Sequence, residues 1–355
     1  MAKLKLGVIF GGMSTEHDVS ISSGTAIIEN LDKEKYDITL IYVDEKGEWF
    51  KYLKSITEIK ILKVGDKIKE NELEKIQSEF KLLKSFDVVF PVLHGLYGED
   101  GTIQGLLELL KVKYVGCKVL SSSICMDKIY AKAIFEKAKI PQAKYVYVKA
   151  KNDKYTYVKD DFSEENMPIE KITSKIIEKL GLPLFVKPSN SGSSVGIKKA
   201  KNNEELQEAI KYAAKYDTKI LIEEEIIGRE VECAVIGNDK VKAATVGEVL
   251  SAESFYTFDA KYKNCESRVV IPAEISNEKI EEIKELAIKA FKAVDGKGLS
   301  RVDFFIRKND DKVIINEINT LPGFTNISMY PKLWENCGLK YTELLDKLID
   351  LAKNQ

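Results

Sequence analysis

The chain of 355 residues is short of the features that betray an extreme partner or compartment. Neither sign of charge dominates: 55 lysines and arginines stand against 56 aspartates and glutamates, so no basic excess argues for nucleic acid or a membrane surface. Long apolar runs are missing, and the longest, such as VVFPVL at 88–93, are far too short to span a bilayer. The opening MAKLKLGVIFGGMSTEH runs from a short apolar stretch into charge without a small-residue cleavage site, and reads as a first strand rather than a signal peptide. The five cysteines (Cys117, Cys125, Cys233, Cys265, Cys337) are odd in number and form no CxxC pair, which predicts reduced thiols, mostly in the core, of a cytosolic protein. Neither GxGxxG nor GxxxxGK[ST] occurs, so the two commonest glycine-rich nucleotide signatures are excluded. There is no fixed-period repeat and no low-complexity segment.

What is present is an ordinary globular composition, 44% hydrophobic and 31% charged, long enough for two or three domains with sizeable cores. The Lys/Glu-rich blocks around 67–84 and 201–216 read as solvated helix faces. The most informative stretch is RVDFFIRKNDDKVIINEINTLPGFTNISM, 301–329. RVDFFIR and KVIINEIN predict two adjacent strands joined by a turn at 308–311. Side chains two apart share a face of a strand, so Arg301 and Asp303 face together, as do Glu317 and Asn319, with Val313 and Ile315 on the parity of Glu317. If the register aligns them, three oxygen-bearing side chains and a guanidinium converge, a hard-oxygen site of the kind that holds magnesium with substrate phosphates. The competing reading of any one of these residues is a solvated ladder of ion pairs. Leu321-Pro322-Gly323 then ends the strand, and Gly323 allows close backbone approach to a ligand.

Along the chain, LKLGVIF, the Gly11-Gly12 turn, the helix VSISSGTAIIENL and the strand DITLIYV predict the start of a doubly wound α/β domain. Ligands of such sheets lie beyond the strand ends, where Gly11 to His17 would be. The strand DVVFPVL delivers His94 into a tight loop with Gly95, Gly98, Glu99, Asp100 and Gly101, so His94 is either a structural histidine or a substrate contact. The helix TIQGLLELL and a short strand KYVG are expected to close this unit near 119. Ser121 to Ser123 are expected to cap a new helical unit. Residues 145–175, polar and rich in lysine and tyrosine, predict a surface strand and loop. LFV leads into KPSNSGSSVG, 187–196, whose backbone N–H groups and hydroxyls suit a phosphate, with Lys187 as the point charge. After the helix NEELQEAIKYAAK comes the strand 219–225, which ends in three acids; one is expected to turn inward, and Glu223 and Glu230 can accept hydrogen bonds from a ribose or an adenine amino group. A hairpin is expected around 237–239, then a long irregular segment with Phe255, Tyr256, Phe258, Lys261 and Tyr262. It reads either as a lid bringing Lys261 to a phosphate or as a packed surface loop. Helices at 277–294 and 341–353 complete the expectation.

Taken together, GGMSTEHDVSISSG, LHGLYGEDGTIQG, CMDK, KPSNSGSSVGI, FYTFDAKY, RVDFF and NEINTLPGFTNISMYP resemble, in order and over essentially the whole chain, the signatures of D-alanine–D-alanine ligases of the ATP-grasp superfamily. The resemblance implies an α/β (α+β) ATP-grasp fold: an N-terminal doubly wound substrate domain at 1–119, a central domain at 120–225 and a C-terminal domain at 226–355 with a lid at 250–272, the last two clasping ATP. It implies that ATP phosphorylates the carboxylate of one D-alanine and that the amine of a second attacks the acyl phosphate. Because a carboxylate must meet a γ-phosphate, charge neutralisation is the dominant need.

By the same resemblance Asp303, Glu317 and Asn319 match ligands of two magnesium (or manganese) ions. Lys128, Lys187 and Lys261 match phosphate-contacting lysines, Ser193 and Ser194 lie in the ATP-binding loop, and Glu223 and Glu230 match the adenosine-side acids. Arg301 and the Gly323 N–H match the oxyanion site. Glu16 and His94 match contacts to the first D-alanine, and Ser328 and Met329 contacts to the second. Glu16, Ser193 and Tyr262 match a hydrogen-bonded triad tying the N-terminal domain, central loop and lid together. Relatives that make D-alanyl-D-lactate or D-alanyl-D-serine tend to carry arginine where Met329 stands, so the resemblance is to the D-alanine type; Thr257 and Phe258 depart from the commoner FYDYxxKY lid. A cytoplasmic homodimer without nucleic-acid or membrane partners is implied. The alternatives are an ATP-grasp ligase for another carboxylate–amine pair, and a nucleotide-binding regulatory protein without turnover, which the presence of every site residue disfavours.

Overall fold

A computed structural model describes residues 2–250 and 268–355. Three sheets follow one another along the chain. The first contains β1 (Leu4–Gly11), β2 (Tyr36–Val43), β3 (Trp49–Tyr52), β4 (Leu73–Lys75) and β5 (Val88–Val92) in the order β4-β3-β2-β1-β5. β1 is central and parallel to both β2 and β5. It is buried from Leu6 onward, which is why it reads as an unbroken apolar run rather than an alternation. α1 (His17–Asn30) crosses over between β1 and β2; α2 (Glu79–Leu83) and α3 (Thr102–Leu110) flank β5.

α4 (Val119–Met126) and α5 (Lys128–Lys137) lead into the second sheet, β6 (Tyr145–Lys151), β7 (Lys154–Val158), β8 (Glu164–Asn166), β9 (Leu184–Pro188), β10 (Lys198–Ala200) and β11 (Lys219–Glu224), in the order β10-β9-β11-β6-β7-β8. α6 (Ile169–Leu180) and α7 (Asn203–Ala213) pack on it, burying Ile169, Ile172 and Ile176, and Leu206, Ala209, Ile210 and Ala213, at helical spacing. The third sheet holds β12 (Gly228–Gly237), β13 (Lys242–Leu250), β14 (Arg268–Val270), β15 (Gly298–Arg307) and β16 (Val313–Asn319), in the order β14-β13-β12-β15-β16. α8 (Asn277–Ala293), α9 (Met329–Asn336) and α10 (Tyr341–Lys353) complete the described elements.

The expected helix at 341–353 and the hairpin turn after Arg307 are found as read. Three local expectations are corrected. KYVG is not a strand: Tyr114 makes an isolated parallel bridge to Val89, and the chain turns at Gly116, φ +114°. Ser121 to Ser123 do not cap, because α4 starts at Val119 and encloses them; the side chain that caps is Asp127, which accepts from the N–H groups of Ile129 and Tyr130. The stretch 145–175 holds three strands and the start of α6 rather than one strand and a loop.

The largest core joins the two ends of the chain. Leu6, Val8, Phe10, Val88 and Phe90 of the first sheet share it with Phe324, Tyr330, Leu345 and Leu348. Phe324 packs edge-on against Phe90, with centroids 5.9 Å apart, and the Tyr36 hydroxyl donates to Asp346 at 2.6 Å. This packing brings the loop after β16 against the carboxyl ends of β1 and β5. No described helix is long and apolar enough to cross a membrane. Cys117, Cys125 and Cys233 are buried free thiols and Cys337 is an exposed one.

Candidate functional site

A cleft of about 860 Å³ runs where the three sheets meet, within the range of sites for small ligands. Its floor is the β15–β16 hairpin. Arg301 lies opposite Asn319 and Asp303 opposite Glu317, so the register brings together the four residues predicted to converge. Strand parity alone would put Ile315 on the face of Glu317. A register shift between Asp303 and Phe304 prevents this by pairing Phe304 with Ile315, so that Ile315 joins Phe304, Ile306 and Val313 in the core while Glu317 stays beside Asp303. A bulge of this kind re-aims side chains next to functional sites.

Arg301 is half-buried between two carboxylates. Its Nε and Nη2 donate to Asp303 Oδ1 and Oδ2 at 2.7 and 2.6 Å, and Nε lies 2.9 Å from Glu232 Oε2. Burial opposes its charge, but Asp303 and Glu232 outweigh that and hold the guanidinium firmly protonated. Asn319 donates to Asp303 Oδ2 at 3.1 Å. Asp303 is 3% exposed and sits behind Arg301 and Asn319, whereas Arg301, Glu317 and Asn319 line the cleft. Among the described residues no group of three His, Cys, Asp or Glu side chains is disposed to hold a metal ion. The hairpin offers two carboxylates and one amide instead.

The second wall comes from the central sheet and α5. Lys187, at the end of β9, pairs with the Glu223 carboxylate on neighbouring β11, and Lys132 approaches the other oxygen of Glu223 at 3.0 Å. Burial alone would raise the pKa of this carboxyl group, but the two lysines reverse the effect and bring Glu223 down to about 2. Of the three acids Glu223, Glu224 and Glu225 at and just after the end of β11, Glu223 is the one that turns inward; Glu225 pairs with Lys199 at 2.6 Å. Lys128, the first residue of α5, donates to the Ser191 carbonyl at 2.7 Å and lies 3.6 Å from Glu317. The loop it touches is anchored at its base by Asp127, which accepts from the Ser189 hydroxyl at 2.5 Å and pairs with Lys219. Ser193 and Ser194 both have positive φ, +49° and +61°, a conformation costly for residues with a Cβ and concentrated at ligand sites.

The third wall belongs to the first sheet. Ser193 donates to Glu16 Oε1, joining the central loop to the turn after β1. The Glu16 carboxylate lies over two glycines: a Cβ at Gly95, whose φ is +73°, would come within 2.7 Å of Oε2, and one at Gly192 within 3.2 Å of both oxygens. His94 is buried, with Nδ1 3.0 Å from the Leu321 carbonyl and Nε2 2.9 Å from Ser23 Oγ. Burial holds its pKa below the usual histidine value against the pull of Glu16. A neutral ring must then donate from Nδ1 to the carbonyl and accept from Ser23 at Nε2. Ser23 Oγ in turn accepts from Phe324 N–H at 3.1 Å. Glu99 accepts from Gly95 N–H at 3.0 Å and from Leu321 N–H at 2.9 Å. Burial and the neighbouring Glu16 push Glu99 up to about 8, against those two bonds and the charge of Arg301. Gly323, Ser328 and Met329 line the same wall; the Ser328 hydroxyl accepts from Thr325 N–H at 3.0 Å.

Every described residue singled out from the sequence as a site residue therefore lines this cleft, except Asp303, which lies just beneath it. Lys261 and Tyr262, with Thr257 and Phe258 of the expected lid, lie outside the described residues. Lys132, Glu99, Glu232 and Ser23 had not been singled out. Of these, Lys132 carries a signal in the sequence, because it stands one helical turn after Lys128 on α5. Phe305 and Ile314, opposite each other in register, also line the cleft and add an apolar surface.

Two family patterns match the chain: one described as the D-ala D-ala ligase N-terminus, over residues 5–117, and one as the D-ala D-ala ligase C-terminus, over 134–350. A D-alanine–D-alanine ligase of Acetivibrio thermocellus is 51% identical and covers 99% of this chain and 96% of its own length. Among solved structures, the D-alanine-D-alanine ligase from Coxiella burnetii superposes with a TM-score of 0.84 at 35% identity, covering 100% of this chain and 95% of that one. The VanG D-Ala:D-Ser ligase from Enterococcus faecalis does so with 0.83 at 37%, covering 99% and 100%.

Proposed function

The chain belongs to the D-alanine–D-alanine ligase family, and on that premise we propose how its cleft joins two D-alanines at the expense of ATP. The reaction gives D-alanyl-D-alanine, ADP and phosphate, and supplies peptidoglycan precursor synthesis. The observation that carries this reading is the convergence on one cleft of lysines from the central wall, a guanidinium and oxygen donors from the β15–β16 hairpin, and Glu16 with His94 from the first sheet.

Lys128 and Lys187, with the backbone of Ser193 and Ser194, hold the phosphates of ATP, and Glu223 and Glu230 face its adenosine end above Phe305 and Ile314. Glu16 holds the ammonium of the first D-alanine beside His94, so that its carboxylate meets the γ-phosphate. The positive side chains lower the repulsion between the two anions, which is the main barrier to forming the acyl phosphate. The amine of the second D-alanine, seated by Ser328 and Met329, then attacks the activated carbonyl. Arg301 and the Gly323 N–H face the oxygen on which negative charge grows. Lys261 and Tyr262 keep the lid roles that their motif implies, within 250–272.

Asp303, Glu317 and Asn319 fit magnesium or manganese. They are hard oxygen donors on one hairpin face, and an ion that retains waters and binds substrate phosphates needs only one or two protein carboxylates. Asn319 uses its amide nitrogen toward Asp303, which leaves its oxygen as a donor. Two such ions supply charge neutralisation on the phosphates. The domain division at 119 and 225, a homodimer and a cytoplasmic location complete the proposal and rest on the family resemblance.

Glu317→Gln tests the hairpin assignment. Turnover is expected to fall by about 10²–10³, the range for losing one group that stabilises transition-state charge. The magnesium concentration for half-activity should rise while thermal stability stays near that of the parent. Near-parent turnover would remove the metal assignment.

A further inference from the structure

We propose that Lys132 is a positioning residue that keeps the Glu223 carboxylate charged while Lys187 turns from it to a nucleotide phosphate. The proposal rests on the reading of Lys187 and Glu223 as nucleotide contacts given above.

The geometry separates the two lysines. Both pair with Glu223, Lys187 with Oε1 and Lys132 with Oε2 at 3.0 Å. Lys187 lines the cleft, whereas Lys132 does not and is 3% exposed. Lys132 is held from behind: its ammonium lies 5.3 Å from the centroid of the Tyr145 ring, and its carbonyl accepts from Gln142 Nε2 at 2.9 Å. Of these two lysines, Lys187 is the one placed to reach a phosphate in the cleft. Without nucleotide, the buried carboxylate has two cations. Once Lys187 leaves, it depends on the one that remains, and a carboxylate buried without a partner takes up a proton rather than stay charged. Protonation would turn one Glu223 oxygen from an acceptor into a donor and weaken the other as an acceptor, to the cost of hydrogen bonds from a ribose or an adenine amino group.

The groups around Glu223 support this division of labour. β6 presents Tyr145 and β9 presents Phe185 directly opposite it in register. The acids Glu317 on β16 and Glu230 on β12 act on Lys187 from the cleft side. Those acids and Glu223 hold Lys187 in the apo protein, and a triphosphate competes with all three.

The test is binding of a non-hydrolysable ATP analogue with magnesium, followed by calorimetry in buffers of different ionisation enthalpy across about pH 6–8.5. The parent sets the baseline proton count. Lys132→Met is expected to take up more protons than the parent on binding, up to about one, and to lose affinity by up to about tenfold per pH unit as pH rises. Lys132→Arg should restore the parent profile. Lys132→Gln keeps a hydrogen bond without the charge, so it should show the same extra uptake in smaller amount, which preserves the test if the methionine variant does not fold. The parent proton count and pH profile in Lys132→Met or Lys132→Gln would overturn the proposal. So would a pH-independent loss shared by the arginine variant, because that marks a merely structural role. Glu223→Ala and Lys187→Ala probe the underlying reading separately. Unchanged affinity in both removes the nucleotide assignment itself; weakened affinity there, with the parent profile in Lys132→Met, removes only the role of Lys132.

Discussion

Arg301 grips Asp303 from two residues away on the same strand, with both carboxylate oxygens engaged at 2.7 and 2.6 Å, and Glu232 closes the other side of the guanidinium. The fork therefore has a fixed plane and one edge left for the cleft. Arg301→Lys keeps the charge but not the fork. Turnover is expected to drop by about 10²–10³, while the affinity for ATP stays within a few-fold and the melting temperature changes little because Asp303 and Glu232 keep a cation. Steady-state kinetics with a thermal melt checks this, and parent-like turnover would take Arg301 out of the oxyanion site.

Glu16 is bonded to Ser193 and lies over Gly95 and Gly192, so its carboxylate is positioned before any substrate arrives. Glu16→Gln preserves the shape and an oxygen for Ser193 but removes the charge that a substrate ammonium needs. A hydrogen bond to a charged group contributes about 1.5–3 kcal/mol, so the KM for the first D-alanine should rise by about one to two orders of magnitude with the KM for ATP nearly unchanged. An equal rise in both would argue for a general loosening of the cleft.

Glu99 predicts a pH dependence of stability. Its carboxyl is at about 8 in the folded protein against 4.5 for the unperturbed group. The folded state thus binds this proton more tightly than the unfolded state. The group's contribution is fully present below pH 4.5 and is lost as pH rises toward about 8. In Glu99→Gln this slope disappears. The variant starts lower, since a single amide oxygen cannot serve both Gly95 and Leu321 N–H and one unmet donor costs about 1–3 kcal/mol, but its deficit should narrow as pH rises. Thermal melts of both proteins between about pH 5 and 8.5 test it; a deficit that is constant or widens with pH contradicts it.

How far the sequence could be read depended on whether a residue's partners were local. Alternation over 301–307 and 312–319 was enough to place Arg301, Asp303, Glu317 and Asn319 on one face, and the register agrees. The shift that separates Ile315 from Glu317 was not legible, because a bulge is set by what both strands pack against rather than by either pattern alone. α6 carries Ile169, Ile172 and Ile176 at helical spacing, but the polar stretch before it has the composition of a loop. Lys132 follows Lys128 by one helical turn, but nothing near it in the sequence shows its partner. Its meaning lies in Glu223, 91 positions later, and only the fold brings the two within 3.0 Å. The same holds for Ser23 and Glu99, whose partners Phe324 and Leu321 come from the far end of the chain.

Phosphate release from ATP and magnesium, measured with and without D-alanine and then with L-alanine, D-serine and D-lactate, tests the central claim most directly. The account predicts release that requires D-alanine, yields D-alanyl-D-alanine, and is not sustained by L-alanine. Release that needs D-serine or D-lactate as the second substrate would contradict the assignment of Met329 to a D-alanine acceptor, and ATP binding without phosphate release under any of these conditions would contradict the ligase reading itself.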